Sequence, residues 1–162
     1  MQTKKEPIVR SFEPTARFKT MMRIGNVFMR PLLRSRFGRK IDDLVLLSFT
    51  GRRTGRRYTV PVGYHELDGD GVIMTASAWK ANLKGGADVE VEHNGRRIPM
   101  RAELIEDPHE VAQVYSALLR KIDLSKAKLA IGLEVIGDRI PTDVEIEEAV
   151  GGRRAVVELR PR

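Results

Sequence analysis

The chain has 162 residues, of which 41% are hydrophobic and 31% charged, the profile of one globular domain with enough apolar material for a core. It has no cysteine, which excludes a disulfide framework, a thiolate nucleophile and a zinc site built from Cys, and fits a reducing cytoplasm. A net charge of +7 and a pI near 10.0 point to a polyanionic partner: nucleic acid, anionic lipid or a multiply charged small molecule.

Residues 1–13 are polar and read as a flexible lead-in without the apolar run of a signal peptide. No stretch approaches the roughly eighteen apolar residues of a membrane span, so the expected localisation is cytoplasmic. From Pro14 to Phe37, Phe18, Met21, Met22, Val27, Phe28 and Leu32 recur at helical spacing between arginines and a lysine, with a kink expected at Pro31. Such a basic amphipathic helix packs one face on its own domain or rests on an anionic membrane, so peripheral membrane contact through 14–37 is the alternative.

Leu44–Thr50 is a short apolar run stopped by Gly51, the pattern of a buried strand. Arg57–Leu67 alternates as a second strand, Asp68-Gly69-Asp70-Gly71 is a turn, and Gly71–Ser77 is a third strand. Trp79–Lys84 is a single helical turn closed by Gly85-Gly86. Ala87–His93 and Arg96–Ile105 form a hairpin around Asn94-Gly95. Asp107-Pro108 starts a helix to about Ile122, striped by Val111, Val114, Tyr115, Leu118 and Leu119. Leu124–Val150 suggests two short helices around Gly132 and Gly137, and Arg153–Arg160 a closing strand. This order predicts an α+β fold with a barrel-like sheet.

Side-chain chemistry is sparse. His65, His93 and His109 are scattered without HxH or HExxH spacing, so no metal site is expected. No nucleophile elbow, GxGxxG or GxxxxGK[ST] is present. An enzyme of this sequence would draw its reactive atoms from a bound cofactor. The one concentrated feature is Gly51-Arg52-Arg53-Thr54-Gly55-Arg56-Arg57, with four arginines in seven residues. Glycines allow positive φ and close backbone approach, and guanidinium forks match phosphate or carboxylate oxygens, so this turn reads as an anion seat. Trp79, the single tryptophan, follows a strand end where an indole covers a planar ligand or anchors the core. Nucleic acid is not the expected polyanion, because aromatics are 6% of residues and no recognition motif is visible.

The run LLSFTGRRTGRRYTVPVGY, followed by VIMTAS and by Trp79, Asn82, Leu83 and Lys84, resembles the deazaflavin (F420)-dependent nitroreductase family, most strongly from Leu44 to Leu104. The resemblance implies an α+β split β-barrel of about six mostly antiparallel strands, with N- and C-terminal helices packed outside. The expected layout after the lead-in is one domain over 14–162: the basic helix at 14–37, a cofactor-binding barrel core at 44–105, and helices with a closing strand at 106–162. It implies coenzyme F420, with FMN as the alternative, and hydride transfer to a quinone, enone or nitro-type acceptor. A non-catalytic cofactor- or lipid-binding protein of the same fold is the rival, and monomer and homodimer are both expected states. By residue, it implies that Arg52, Arg53 and Thr54 form the phosphate-binding turn, with Arg57 as the basic residue beyond it. Pro61, Val62 and Gly63 would lie along the ring, and Thr75, Ala76 and Ser77 at the strand end, with Ser77 as the catalytic hydroxyl. Trp79, Asn82 and Lys84 would border the cleft. The sequence departs from the family in the single residue, Ala78, between Ser77 and Trp79, and in having no tyrosine after Tyr115.

Overall fold

Turn chemistry sets much of the strand pairing in the computed structural model, which describes residues 7–12 and 43–162. The strands in chain order are β1 (Val9–Ser11), β2 (Leu44–Thr50), β3 (Arg57–Gly63), β4 (His65–Leu67), β5 (Asp70–Thr75), β6 (Ala87–His93), β7 (Arg96–Ile105), β8 (Leu133–Val135) and β9 (Ala155–Pro161). The helices are α1 (Pro108–Leu119), α2 (Ala127–Ala130) and α3 (Asp143–Val150), with 3-10 segments at Ala78–Leu83 and Leu124–Lys126. The helix expected at 14–37 lies outside the described residues. The chain divides into two units, residues 14–104 with 156–162, and residues 1–13 with 105–155.

The first of these units carries a seven-stranded sheet in the order β3-β2-β6-β7-β9-β5-β4, one strand more than the roughly six expected. β2 pairs antiparallel with β3 and β6, β6 with β7, and β4 with β5. Asp68-Gly69 joins β4 to β5 and Asn94-Gly95 joins β6 to β7, each pair with positive φ at both residues. That conformation matches the twist of the flanking strands, which is why the two-residue loops hold these hairpins in register. β3 and β4 stand at opposite ends of the sheet order, yet only Tyr64 separates them in sequence. The sheet therefore curls until its two ends meet there, and the single strand expected over Arg57–Leu67 is broken in two. The Tyr64 N–H donates to the Asp43 carbonyl at 2.8 Å, and a Cβ on Gly71 would fall 2.6 Å from the Tyr64 hydroxyl oxygen. Glycine at 71 is what lets the ring lie over β5.

Period-two alternation decides what the curl encloses. Val45, Leu47 and Phe49 of β2 join Val62, Ile73, Val89, Val91, Met100, Val157 and Leu159 in one core, with Leu83 from the 3-10 segment. Burying each such side chain contributes roughly 1.5–3 kcal/mol. Of the residues out of phase, Leu46, Val72 and Val156 are also buried, while others are polar. Ser48 and Thr59, directly opposite across β2 and β3, share a hydroxyl hydrogen bond of 2.9 Å. Arg57 binds Glu90 at 2.6 Å, and Arg97 approaches Glu92 at 3.4 Å.

In the other unit, Asp107 caps α1 by accepting the Glu110 N–H at 3.0 Å, with Pro108 in the first turn. The helix ends at Leu119, one turn short of the expected Ile122. Thr142 and Glu145 form a reciprocal capping box that starts α3, and Gly151 closes it with φ 54°. The lead-in expected to be flexible at 1–13 holds β1, paired antiparallel with β8 as Val9↔Val135, Arg10↔Glu134 and Ser11↔Leu133. Val9 is buried, so a hydrophobic contact as well as the ladder fixes this segment. The closing strand begins at Ala155 instead of Arg153, because the Arg154 side chain turns inward. Its Nε donates to Ser11 Oγ at 2.7 Å and one terminal nitrogen donates to the Phe12 carbonyl at 2.6 Å. Tyr115 is buried, which raises its pKa, while the Arg154 guanidinium beside it acts in the opposite sense.

Candidate functional site

The arginine-rich segment Gly51–Arg56 is the loop between β2 and β3. Gly51 N–H donates to the Arg56 carbonyl at 2.7 Å and Gly55 N–H to the Gly51 carbonyl at 2.8 Å, so the loop is closed on itself. Gly55 has φ +65°, the left-handed conformation that L side chains resist. Gly51 is buried beneath the loop, where a Cβ would come 2.6 Å from the Tyr58 ring and 2.7 Å from Thr54 Oγ1. Both glycines are therefore demanded by the turn, as the sequence suggested.

Hydrogen bonds leave a defined set of donors over. The Arg52 N–H donates to Asn82 Oδ1 at 3.0 Å, and the Arg56 N–H to Thr54 Oγ1 at 3.2 Å. Among the described residues, the N–H groups of Arg53 and Thr54 have no acceptor. Two adjacent amides without acceptors in a turn are the kind of donors an anion-binding concavity uses. Arg52, Arg53 and Arg56 are exposed, and their guanidinium groups have no carboxylate partner among the described residues. Arg57 differs, because one of its terminal nitrogens is already engaged by Glu90 at 2.6 Å.

An aromatic stack stands beside this loop. Phe49 lies between Tyr58, at 5.9 Å and 24°, and Trp79, at 5.6 Å and 27°. Trp79 is half-buried against the core, so it is an anchor whose remaining surface is open. Tyr58 is 40% exposed. The stack was not legible as a cluster from composition. It follows from register, because a hairpin that pairs Thr50 with Arg57 puts Phe49 opposite Tyr58.

The remaining residues singled out by the sequence occupy the same unit. Pro61, Val62 and Gly63 end β3, where Val62 faces the core and Pro61 and Gly63 are half-buried. Thr75 ends β5, two residues before the expected strand end at Ser77, and it is buried. The Ser77 N–H donates to Thr75 Oγ1 at 3.0 Å. Ala76 and Ser77 are exposed, and the Ser77 hydroxyl makes no hydrogen bond among the described residues. Asn82 uses both ends of its amide internally, since Nδ2 donates to the Trp79 carbonyl at 2.9 Å while Oδ1 holds Arg52. These two bonds tie the loop to the Ala78–Leu83 segment. Lys84 is exposed where the 3-10 segment ends.

A cavity of about 460 Å³ belongs wholly to the unit of residues 1–13 and 105–155, lined among others by Ile8, Arg10, Arg139, Glu145 and Arg153, and none of the residues above contributes to it. Among the described residues, no group of three or more His, Cys, Asp or Glu could hold a metal ion. No helix of the described residues is long and apolar enough to cross a membrane.

No curated protein matches this sequence. Solved structures align at low identity. An F420-H2 dependent reductase (FDR-A) is 18% identical over 73% of this chain and 94% of that one, with a TM-score of 0.44. A pyridoxamine 5'-phosphate oxidase-related, FMN-binding protein from Nostoc punctiforme is 16% identical over 83% of this chain and 78% of that one, with a TM-score of 0.48. A conserved hypothetical protein from Mycobacterium tuberculosis is 17% identical over 84% and 79%, with a TM-score of 0.45. At that level these likenesses carry no weight beside a family match that spans residues 21–126 and so includes the arginine turn, the aromatic stack, Ser77 and Asn82. With well over half its length in that match, the chain belongs to the F420H(2)-dependent quinone reductase family and is a reductase.

Proposed function

We propose that this protein binds coenzyme F420 against the Gly51–Arg57 turn and passes hydride from its reduced form to a quinone, enone or nitro-type acceptor. The observation that carries the reading is the donor set of the turn: two adjacent free amides, at Arg53 and Thr54, ringed by three guanidinium groups without carboxylate partners among the described residues. A phosphodiester needs such a set, because bonds from charged donors to its oxygens are shorter and about twice as strong as neutral ones. When bound, the deazaflavin supplies the hydride, and electrons leave it as a pair.

The chain's own residues bind and orient. Arg52 and Arg53 neutralise the phosphate arm, and the Arg53 and Thr54 amides fix its position. Asn82 holds the turn to the Ala78–Leu83 segment, so the seat keeps a constant relation to Trp79. The open surface of Trp79 excludes water from one side of the ring, and holding acceptor and donor together removes several kcal/mol of the barrier. The Ser77 hydroxyl, uncommitted among the described residues, donates to the acceptor oxygen as negative charge develops there. The curl of the sheet at Tyr64 supports a split β-barrel as the architecture behind this arrangement.

Titration of the purified protein with oxidised F420 and, separately, with FMN, followed by fluorescence, tests the reading. Micromolar binding of F420 and weaker binding of FMN are expected. Tighter binding of FMN would turn the protein into a flavin-binding member of the same fold, and binding of neither would remove the proposal.

A further inference from the structure

Tyr58 stands outside the donor set just described, yet it is fastened to it. Its hydroxyl lies 3.2 Å from Thr54 Oγ1, its ring stacks on Phe49, and the same ring covers the buried Gly51 so closely that no Cβ fits between them. The Thr54 oxygen already accepts the Arg56 N–H at 3.2 Å. A threonine hydroxyl has one proton and two lone pairs. With one lone pair occupied by Arg56, the second is free to accept the Tyr58 O–H, which leaves the Thr54 proton to point out of the turn. If Thr54 donated to Tyr58 instead, that proton would be lost to any ligand.

We infer that Tyr58 is a positioning residue of the anion seat, donating its phenolic proton to Thr54 so that the Thr54 hydroxyl becomes a third donor, beside the Arg53 and Thr54 amides, for a phosphate oxygen. The inference deepens the proposed function and rests on it. An anion selects this direction, since acceptance of the Thr54 proton by a phosphate oxygen leaves Tyr58 only the donor's part. Rigidity helps as well. The stack on Phe49 fixes the tyrosine ring, so the hydroxyl pair is set before a ligand arrives and little ordering is needed on binding.

The test compares two probes, F420 and the same deazaflavin chromophore without its phosphate arm, on the wild-type protein and on Y58F, T54V and the double variant. Tyr58→Phe keeps the ring stack and removes only the hydroxyl. Expected results are a loss of roughly tenfold in F420 affinity for Y58F, as for a bond to a charged group, and a change of less than about twofold for the phosphate-free chromophore. T54V should lose at least as much, because removing Thr54 ends the same relay, and adding Y58F to it should cost no more than about twofold further. Thr54→Ser, which keeps a hydroxyl, should restore most of the affinity. If wild-type protein prefers F420 over the phosphate-free probe and Y58F shows the same preference, Tyr58 has no such role and the proposed function stands. If Y58F weakens both probes equally, the effect is packing and the inference fails. If wild-type protein does not distinguish the probes, the phosphate seat is refuted and the inference with it.

Discussion

Asn82 accepts the backbone N–H of Arg52 at 3.0 Å, thirty residues away in sequence, while its other amide end donates to the Trp79 carbonyl at 2.9 Å. One side chain thus joins the arginine turn, the short segment after β5 and the indole that stacks on the core. Asn82→Leu, of similar size but without the amide, should leave the Arg52 N–H to water and detach the turn. A hydrogen bond of this kind contributes about 0.5–1.5 kcal/mol net, so a melting temperature lowered by a few degrees is expected. The affinity for F420 should fall about three- to tenfold. Unaltered affinity in a folded variant would mean that the turn does not need this bracket.

Replacing Arg52 and Arg53 together by alanine should weaken F420 binding more than about tenfold, since each charge-assisted contact is worth roughly 1.5–3 kcal/mol. The wild-type affinity should also fall as salt rises, because the guanidinium groups are exposed. The double variant should show a flatter salt response, measured by the same titration at two ionic strengths. Both side chains lie outside the core, so its thermal stability should match the wild type.

How much of this was legible in the sequence follows from the range of the forces involved. β2, β6 and β7 have the bounds that alternation and turn residues gave, because Asn94-Gly95 and Gly51 punctuate them locally. The reversal at Tyr64 was not visible, since it depends on the β3 and β4 edges meeting across the curled sheet, a long-range fact. β8 is three residues long between Gly132 and Gly137, too short for any periodicity, and it exists because β1 pairs with it. The arginines and glycines of the turn were legible from residue types alone, and the proposal of an anion seat begins from them. Which of the turn's amides remain free was not legible, because the Arg52 amide is taken by Asn82 from another segment. The pairing of Arg57 with Glu90 was hidden in the same way, in a contact between strands.

Gly132 and Arg154 give a stability prediction away from the site. Gly132 sits at φ +72°, and a Cβ there would fall 2.5 Å from one Arg154 terminal nitrogen and 2.7 Å from the other. Gly132→Ala therefore meets both backbone strain and a guanidinium that cannot easily retreat, being buried and bonded to Ser11 and Phe12. A loss of about 1–3 kcal/mol is expected from the strain alone, read by denaturant unfolding. Arg154→Ala relieves the clash but removes the donors to Ser11 Oγ and the Phe12 carbonyl, so it should also destabilise. The double variant should be less damaging than the sum of the two, because the clash disappears with the arginine.

Glu145 supplies the pH dependence. Its carboxylate takes two hydrogen bonds from Arg139, at 2.8 and 3.0 Å, and one from the Thr142 N–H at 2.8 Å. These partners, Arg139 foremost, hold its pKa at about 2, below the ordinary 4.5. A carboxyl whose pKa is lower in the folded state binds more protons when unfolded in the interval between the two values. Its contribution is therefore complete above about pH 4.5 and is lost as pH falls towards 2. Glu145→Gln cannot titrate. The difference in melting temperature between wild type and E145Q should be largest above pH 5 and should shrink steadily from there to pH 2. Because the carboxylate is exposed, added salt should narrow the difference at neutral pH. A difference that stayed constant from pH 6 to pH 2 would show that the Arg139 contact does not persist in solution, and that α3 is capped by Thr142 alone.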